Sequence, residues 1–262
     1  MQTFALQEDA RTRHATRTAF TLVELLVVIA VISILAGIIL PAIRHVRERA
    51  RQTHCINALH QFSVAWSTYR NEHDEESPDW LSSLYPAYLD DPELYVCPSD
   101  SSAGADGGKP PDAYNDPRDA FDEVDDNDSH PEPYYNRNGD IHACSYFYEF
   151  CAAPCTWDYR SWLSYGTNYV TDRILSPNDP VVSWGDVKWR QLMFGDQWHQ
   201  GPYGANEFPV IRCFHHHAEQ RVTVNDPVKG STTEGVTLNV GFAGNVFRAP
   251  MTWELLKDSD LW

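Results

Sequence analysis

The chain has 262 residues and a formal net charge of −17, with 42% hydrophobic and 13% aromatic residues. This length allows one or two domains, and the acidic excess argues against nucleic acid or an anionic lipid surface as partner. The imbalance lies late in the chain: residues 52–262 carry 13 Lys and Arg against 33 Asp and Glu.

Residues 1–19 are polar, with Arg11, Arg13 and Arg17 against Glu8 and Asp9. An apolar run follows, Leu22 to Leu40, 19 residues in which Glu24 is the only charge. Roughly 20 such residues cross a bilayer as a helix. A carboxylate inside it costs about 2.5–3.5 kcal/mol at the membrane centre and less near an end, so Glu24 calls for a partner. A cleaved secretory signal has a shorter apolar core and an Ala-x-Ala site, which Leu40-Pro41-Ala42-Ile43 does not offer. A lipoprotein signal needs a Cys at the cut, and the nearest is Cys55. An ordinary signal anchor leaves Glu24 unexplained. Flanking charge is divided, because Arg44, Arg47, Arg49 and Arg51 outnumber the arginines of the leader and basic residues prefer the cytoplasmic side.

No helix breaker stands between Pro41 and Pro78. Cys55, Leu59, Phe62, Trp66 and Tyr69 recur at helical spacing, opposite Gln61, Ser63, Ser67, Arg70 and Asn71. The pattern predicts one helix from about Phe20 to Arg70, kinked gently at Pro41. Its length is roughly 75 Å. Residues 20–43 form its transmembrane half and residues 44–70 an amphipathic half packed on a head, residues 71–262.

The segment Phe20-Thr21-Leu22-Val23-Glu24-Leu25-Leu26-Val27-Val28-Ile29-Ala30-Val31-Ile32 resembles the class III signal of type IV pilins and type II secretion pseudopilins. In that family a prepilin peptidase cuts before the Phe and methylates the new amino terminus. The resemblance implies a cut between Ala19 and Phe20, with Glu24 fifth in the mature chain and Pro41 at the family's kinking proline. Ala19 departs from the usual Gly, which implies slower cleavage. It further implies an amino terminus in the cytoplasm, an extracytoplasmic head, and assembly with other subunits and the inner-membrane machinery through the first helix. The carboxylate of Glu24 would meet a neighbour's terminal amine, a buried pair suited to fixing register.

Beyond the helix, Glu72–Pro78 is a polar stop and Trp80–Leu89 reads as a short helix and turn. Cys55-Ile56-Asn57-x-Leu59, Tyr69, Leu84-Tyr85-Pro86 and Cys97-Pro98-Ser99-Asp100 resemble a planctomycete-type pilin-like group with a G-type pseudopilin amino terminus and a large β-rich head. Within that resemblance a Cys55–Cys97 disulfide would tie the helix to the head. Six cysteines allow 15 pairings, and all lie beyond the apolar run, where an oxidising compartment favours disulfides. Cys144, Cys151 and Cys155 make a poor zinc pattern, so no metal ligand set is assigned.

Residues 100–140 hold twelve acidic against three basic residues, a solvated surface insertion. Asp122, Glu123, Asp125, Asp126 and Asp128 are the weaker candidates for Ca²⁺, since no Gly stands at the EF-hand turn. From Cys144 onward short apolar runs alternate with turns: Ser145–Phe150, Ser164–Val170, Val181–Gly185 and Val210–Phe214. Gly235–Phe242 and Val246–Arg248 flank Ala243-Gly244-Asn245 as a hairpin. In the related group this turn reads Ala-Asp-Gly.

His215, His216 and His217 alternate faces in a strand. A site with Cys213, Asp196 and His199 has no specific spacing, and a surface loop is preferred. No nucleophile elbow, phosphate loop, dinucleotide fingerprint or zinc-protease motif occurs, which argues against an enzyme. The sequence is therefore read as an α+β, pilin-like chain: a long amino-terminal helix on an antiparallel β-rich head, serving as a structural filament subunit. The alternative is a signal-anchored extracytoplasmic binding protein whose aromatic residues stack on glycans.

Overall fold

The computed structural model describes residues 21–105, 138–152, 183–196, 199, 201–216, 221–226 and 230–253. Most of the acidic insertion, with Asp122, Asp125, Asp126 and Asp128, lies outside them, as do Ala19, Phe20, Cys155, His217 and the apolar run 164–170. The architecture is α+β: one long amino-terminal helix and a carboxy-terminal antiparallel sheet.

Helix α1 spans Leu22–Glu72 and continues through Pro41. It ends because Asp74 and Glu75 adopt left-handed backbone, with φ of 51° and 68°. The Glu75 amide then reaches back to the carbonyl of Arg70 at 2.9 Å, satisfying a carbonyl that the last turn leaves open. The chain forms two compact units, Met1–Arg47 and Glu48–Trp262. Within the first, the side chains from Leu22 to Leu40 are exposed on every face. This stretch is apolar all round, which suits lipid rather than a protein core.

Within the second unit α1 is one-sided. Cys55, Ala58, Leu59, Phe62, Ala65 and Trp66 are buried in the core, as the spacing predicts. The buried face is wider than the sequence suggests, because Ser63 and Arg70, expected on the opposite side, are also buried. Ser63 donates from Oγ to the carbonyl of Gly244 at 2.7 Å. Arg70 lies over the rings of Trp66 and Phe242, at 4.7 and 4.6 Å, and pairs with Glu75 at 2.7 Å. The polar side chains reach partners that only the folded head supplies.

Two 3-10 turns follow, Leu81–Leu84 and Pro92–Tyr95, the first inside the short helix expected at 80–89. Among the described residues five strands then form the sheet: β1 (Phe147–Tyr148), β2 (Pro209–Cys213), β3 (Arg221–Asp226), β4 (Gly230–Gly241) and β5 (Val246–Pro250). All pairings are antiparallel. The long strand β4 organises them: its first half pairs with β3, and its second half lies between β2 and β5. The β4–β5 hairpin predicted from the Ala243-Gly244-Asn245 turn is present, with Val240 opposite Val246. Gly244 takes a φ of +89°, and a Cβ there would sit 3.1 Å from Ser63 Oγ. Only glycine combines that backbone with so close an approach of the turn to α1.

Two elements differ from expectation. The apolar run 181–185 looks strand-like, yet Ser183 caps helix α2, Trp184–Phe194. Ser183 Oγ accepts from the Asp186 amide while the Asp186 carboxylate accepts from the Ser183 amide, a reciprocal capping box that overrides the apolar run. Strand β3 carries few apolar residues and escapes a hydrophobicity reading. It is held by its register on β4.

The core also contains ions. Glu149, Lys188 and Arg212 are all buried. Arg212 bonds to Glu149 Oε1 at 3.2 Å, Asn239 Oδ1 at 3.2 Å and the Met251 carbonyl at 2.7 Å. Lys188 Nζ lies 3.3 Å from the other oxygen of Glu149 and 4.8 Å from the centre of the Trp184 ring. Buried charges of this kind persist only when paired.

Candidate functional site

Two places on α1 carry chemistry. The first is its amino terminus. The Thr21 amide and hydroxyl donate to Glu24 Oε2 at 2.9 and 2.7 Å, and the Glu24 amide donates to Thr21 Oγ1 at 3.2 Å. Thr21-Leu22-Val23-Glu24 is thus a capping box that closes the first turn. The sequence reading missed this role for Glu24, although Thr-x-x-Glu ahead of an apolar run is its signature. A carboxylate in the first turn also complements the positive end of the helix dipole. The fold gives Pro41 a place within the continuous helix.

The second is a cluster of sulfur and imidazole. Cys55 stands on α1, Cys97 follows the second 3-10 turn, Cys213 ends β2, and His216 lies in the turn after it. All four are buried, and one donor atom from each lies within 4.8 Å of the others. Cys97 Sγ is 3.3 Å from His216 Nε2. The Tyr146 hydroxyl donates to Cys55 Sγ at 3.7 Å. Cys55 and Cys97, for which the resemblance implies a disulfide, are not bonded to each other in this structure. Each packs against the cluster rather than forming an exclusive pair.

Close packing separates their acidities. Hydrogen bonds from Cys213 and Cys55, then His216, pull Cys97 far below the usual thiol range against the effect of burial. Cys55 moves upward: its bond with Cys213 acts to lower it, but Cys97 and burial prevail. Burial, followed by the two neighbouring sulfurs, raises Cys213. Burial lowers His216, but the partners Cys97 and Glu48 outweigh it and leave it raised. The close approach of three sulfurs and one imidazole thus drives their acidities in opposite directions.

Glu48 and the Cys97-Pro98-Ser99-Asp100 segment surround the cluster. Glu48 Oε1 accepts from His216 Nδ1 at 2.8 Å, and its carboxylate also accepts from Ser99 Oγ at 3.1 and 3.2 Å. Asp100 shapes the next turn. Its oxygens accept from the Ser102 and Gly104 amides at 2.8 Å and from Ser145 Oγ at 2.6 Å, and His215 Nε2 is 3.5 Å away. Burial works to raise the Asp100 carboxyl, but bonds from Ser145 and Ser102 and the nearby His215 hold it below the usual range.

The site imagined from Cys213, Asp196 and His199 is not assembled. Asp196 is buried elsewhere, accepting from Gln191, Tyr203 and the His199 amide. Of the histidine run, His216 is buried rather than displayed on a surface loop. The sequence does carry a signal for the cluster: Cys213-x-x-His216 has the close spacing of a ligand pair, which Cys144, Cys151 and Cys155 lack.

Residues 15–40 match the family described as the Prokaryotic N-terminal methylation motif. The amino terminus is therefore of the prepilin type, continuous with a helix long and apolar enough to cross a membrane. No curated protein and no solved structure matches the chain.

Proposed function

We propose that the chain is a membrane-inserted prepilin-like subunit. Prepilin peptidase cuts it between Ala19 and Phe20 and methylates the Phe20 amine. The mature subunit, anchored by residues 20–43 with its head outside the cytoplasm, then assembles through α1 into a type II secretion pseudopilus or a type IV pilus-like filament. The carrying observation is the methylation motif at residues 15–40, running into the apolar stretch Leu22–Leu40 whose one charge is Glu24. The four arginines beyond the apolar run oppose this orientation, and the leader's need to meet a cytoplasm-facing peptidase decides it.

In this reading the capping box is the resting state of Glu24 before assembly. Its carboxylate closes its own helix in the single subunit and turns to the terminal amine of a neighbour in the filament, where the pair fixes axial register. The glycan-binding alternative draws little support. Trp66, Trp80, Trp184 and Trp253 are buried in the core, so among the described residues these rings serve packing rather than display.

Mass spectrometry of the mature amino terminus tests the proposal. Cells with an active prepilin peptidase should yield N-methyl-Phe20, and peptidase-null cells the intact leader. A chain that keeps Met1 in both strains sinks the reading.

A further inference from the structure

We propose that Cys55, Cys97, Cys213 and His216 form a closed structural zinc site that fastens the second half of α1 to the head. Three sulfurs and one imidazole nitrogen are a common structural donor set for this ion. With Zn–S near 2.3 Å and Zn–N near 2.0 Å, tetrahedral ligand atoms lie roughly 3.4–3.8 Å apart. The four donors here lie within 4.8 Å of one another, with Cys97 Sγ and His216 Nε2 at 3.3 Å. The widest pair needs to close by about 1 Å, within the reach of a side-chain rotation.

The surroundings complete the case. His216 directs Nε2 at the sulfurs and Nδ1 at Glu48, 2.8 Å away. A metal-bound histidine typically gives its other N–H to a carboxylate, which fixes the tautomer and ring orientation. Ser99 holds that carboxylate in turn. The Tyr146 hydroxyl, itself buried, donates to Cys55 Sγ, as a ligating thiolate requires. Four buried protein donors leave no open position, so the site is structural rather than catalytic. A disulfide explains the cluster less well. It would consume two sulfurs and leave the third, with the oriented His216–Glu48 pair, without a purpose. On binding, the three cysteines and the imidazole together release three protons to solvent, leaving three thiolates and the Nε2 lone pair as donors, so no oxidant or reductant enters.

The test uses the full-length chain, purified in detergent without chelator or reductant. Elemental analysis should find about one zinc per chain, and exchange for Co²⁺ should give the intense absorption of a tetrahedral thiolate site. Cys213→Ser and His216→Ala should lose the metal, whereas His216→Cys and Cys144→Ala retain it. Glu48→Gln should keep zinc but weaken binding 10- to 100-fold in competition with a chromophoric chelator. Unfolding of a variant leaves the wild-type measurements decisive. A wild-type chain with no zinc and no Co²⁺ absorption overturns the proposal. So does a peptide map showing a disulfide between any two of Cys55, Cys97 and Cys213.

Discussion

The buried ion network gives the sharpest test of how the head is held together. Glu149 faces two cations, Lys188 and Arg212, with all three side chains at most 3% exposed. Charge counting then ranks three substitutions. Glu149→Gln removes the anion that both buried cations face, the worst outcome, at about 4–5 kcal/mol. Arg212→Met leaves Glu149 paired with Lys188, one anion to one cation. Its cost is the Met251 carbonyl left without this donor and a lost charge-assisted bond to Glu149, about 3 kcal/mol. Asn239 Oδ1 keeps Thr237 as a donor at 3.0 Å and adds little. Lys188→Met leaves the aligned Arg212–Glu149 bond intact and should cost the least, about 1–2 kcal/mol. The assay is chemical unfolding of the full-length chain in detergent, followed by tryptophan fluorescence with the slope checked for constancy. If Arg212→Met destabilises as much as Glu149→Gln, charge balance does not govern this core and the reasoning fails.

Tyr148 relays a buried bond from Trp66 Nε1, at 3.1 Å, to the carbonyl of Pro78, at 2.9 Å. Tyr148→Phe strands both groups and should cost about 2–3 kcal/mol in the same unfolding assay, and an effect below about 0.5 kcal/mol would show the relay to be replaceable by water. Asp100→Asn keeps one acceptor oxygen and sets its amide donor against either Ser102 on Oδ1 or Gly104 and Ser145 on Oδ2, so it should cost about 2 kcal/mol at neutral pH. The folded carboxyl of Asp100 is depressed. Its contribution is therefore full above the ordinary Asp value and fades as pH falls through the lower folded value. The stability gap between wild type and variant should stay flat above about pH 5 and shrink in stronger acid. A gap that widens in acid contradicts the assignment.

How much of this was legible in the sequence varies with the range of the interaction. Periodicity located α1 almost to the residue, because an apolar run and a one-sided stripe are local properties of one helix. The β4–β5 hairpin was equally plain, since its strands are joined by the turn that pairs them. Helix α2 was hidden because Ser183 and Asp186 outweigh the apolar residues beside them. Arg70 and Ser63 were placed on the wrong face of α1. Arg70 is buried by Trp66 and Phe242, and Ser63 by the turn at Gly244. Two of those partners, Phe242 and Gly244, come from one hairpin at the far end of the chain, and helical spacing cannot anticipate it. The network of Glu149, Lys188 and Arg212 was illegible for the same reason. Each residue looks like an ordinary surface charge until the sheet brings them together.

The sulfur cluster shows the same limit from the side of chemistry. Spacing rules recognise metal sites whose ligands sit in close pairs, and here only Cys213 and His216 do. Cys97 comes from a loop fixed by Asp100, and Cys55 from a helix that ends in the head. The helical stripe turns Cys55 inward, and Cys97-Pro98-Ser99-Asp100 stands out as a motif. The Cys55–Cys97 disulfide that the resemblance implies involves two of the four side chains gathered here. Cys213 and His216 change the question from which cysteines pair to what three thiols and an imidazole share. An odd number of buried sulfurs around an oriented histidine favours a ligand set over a bridge, because a bridge always leaves one sulfur over.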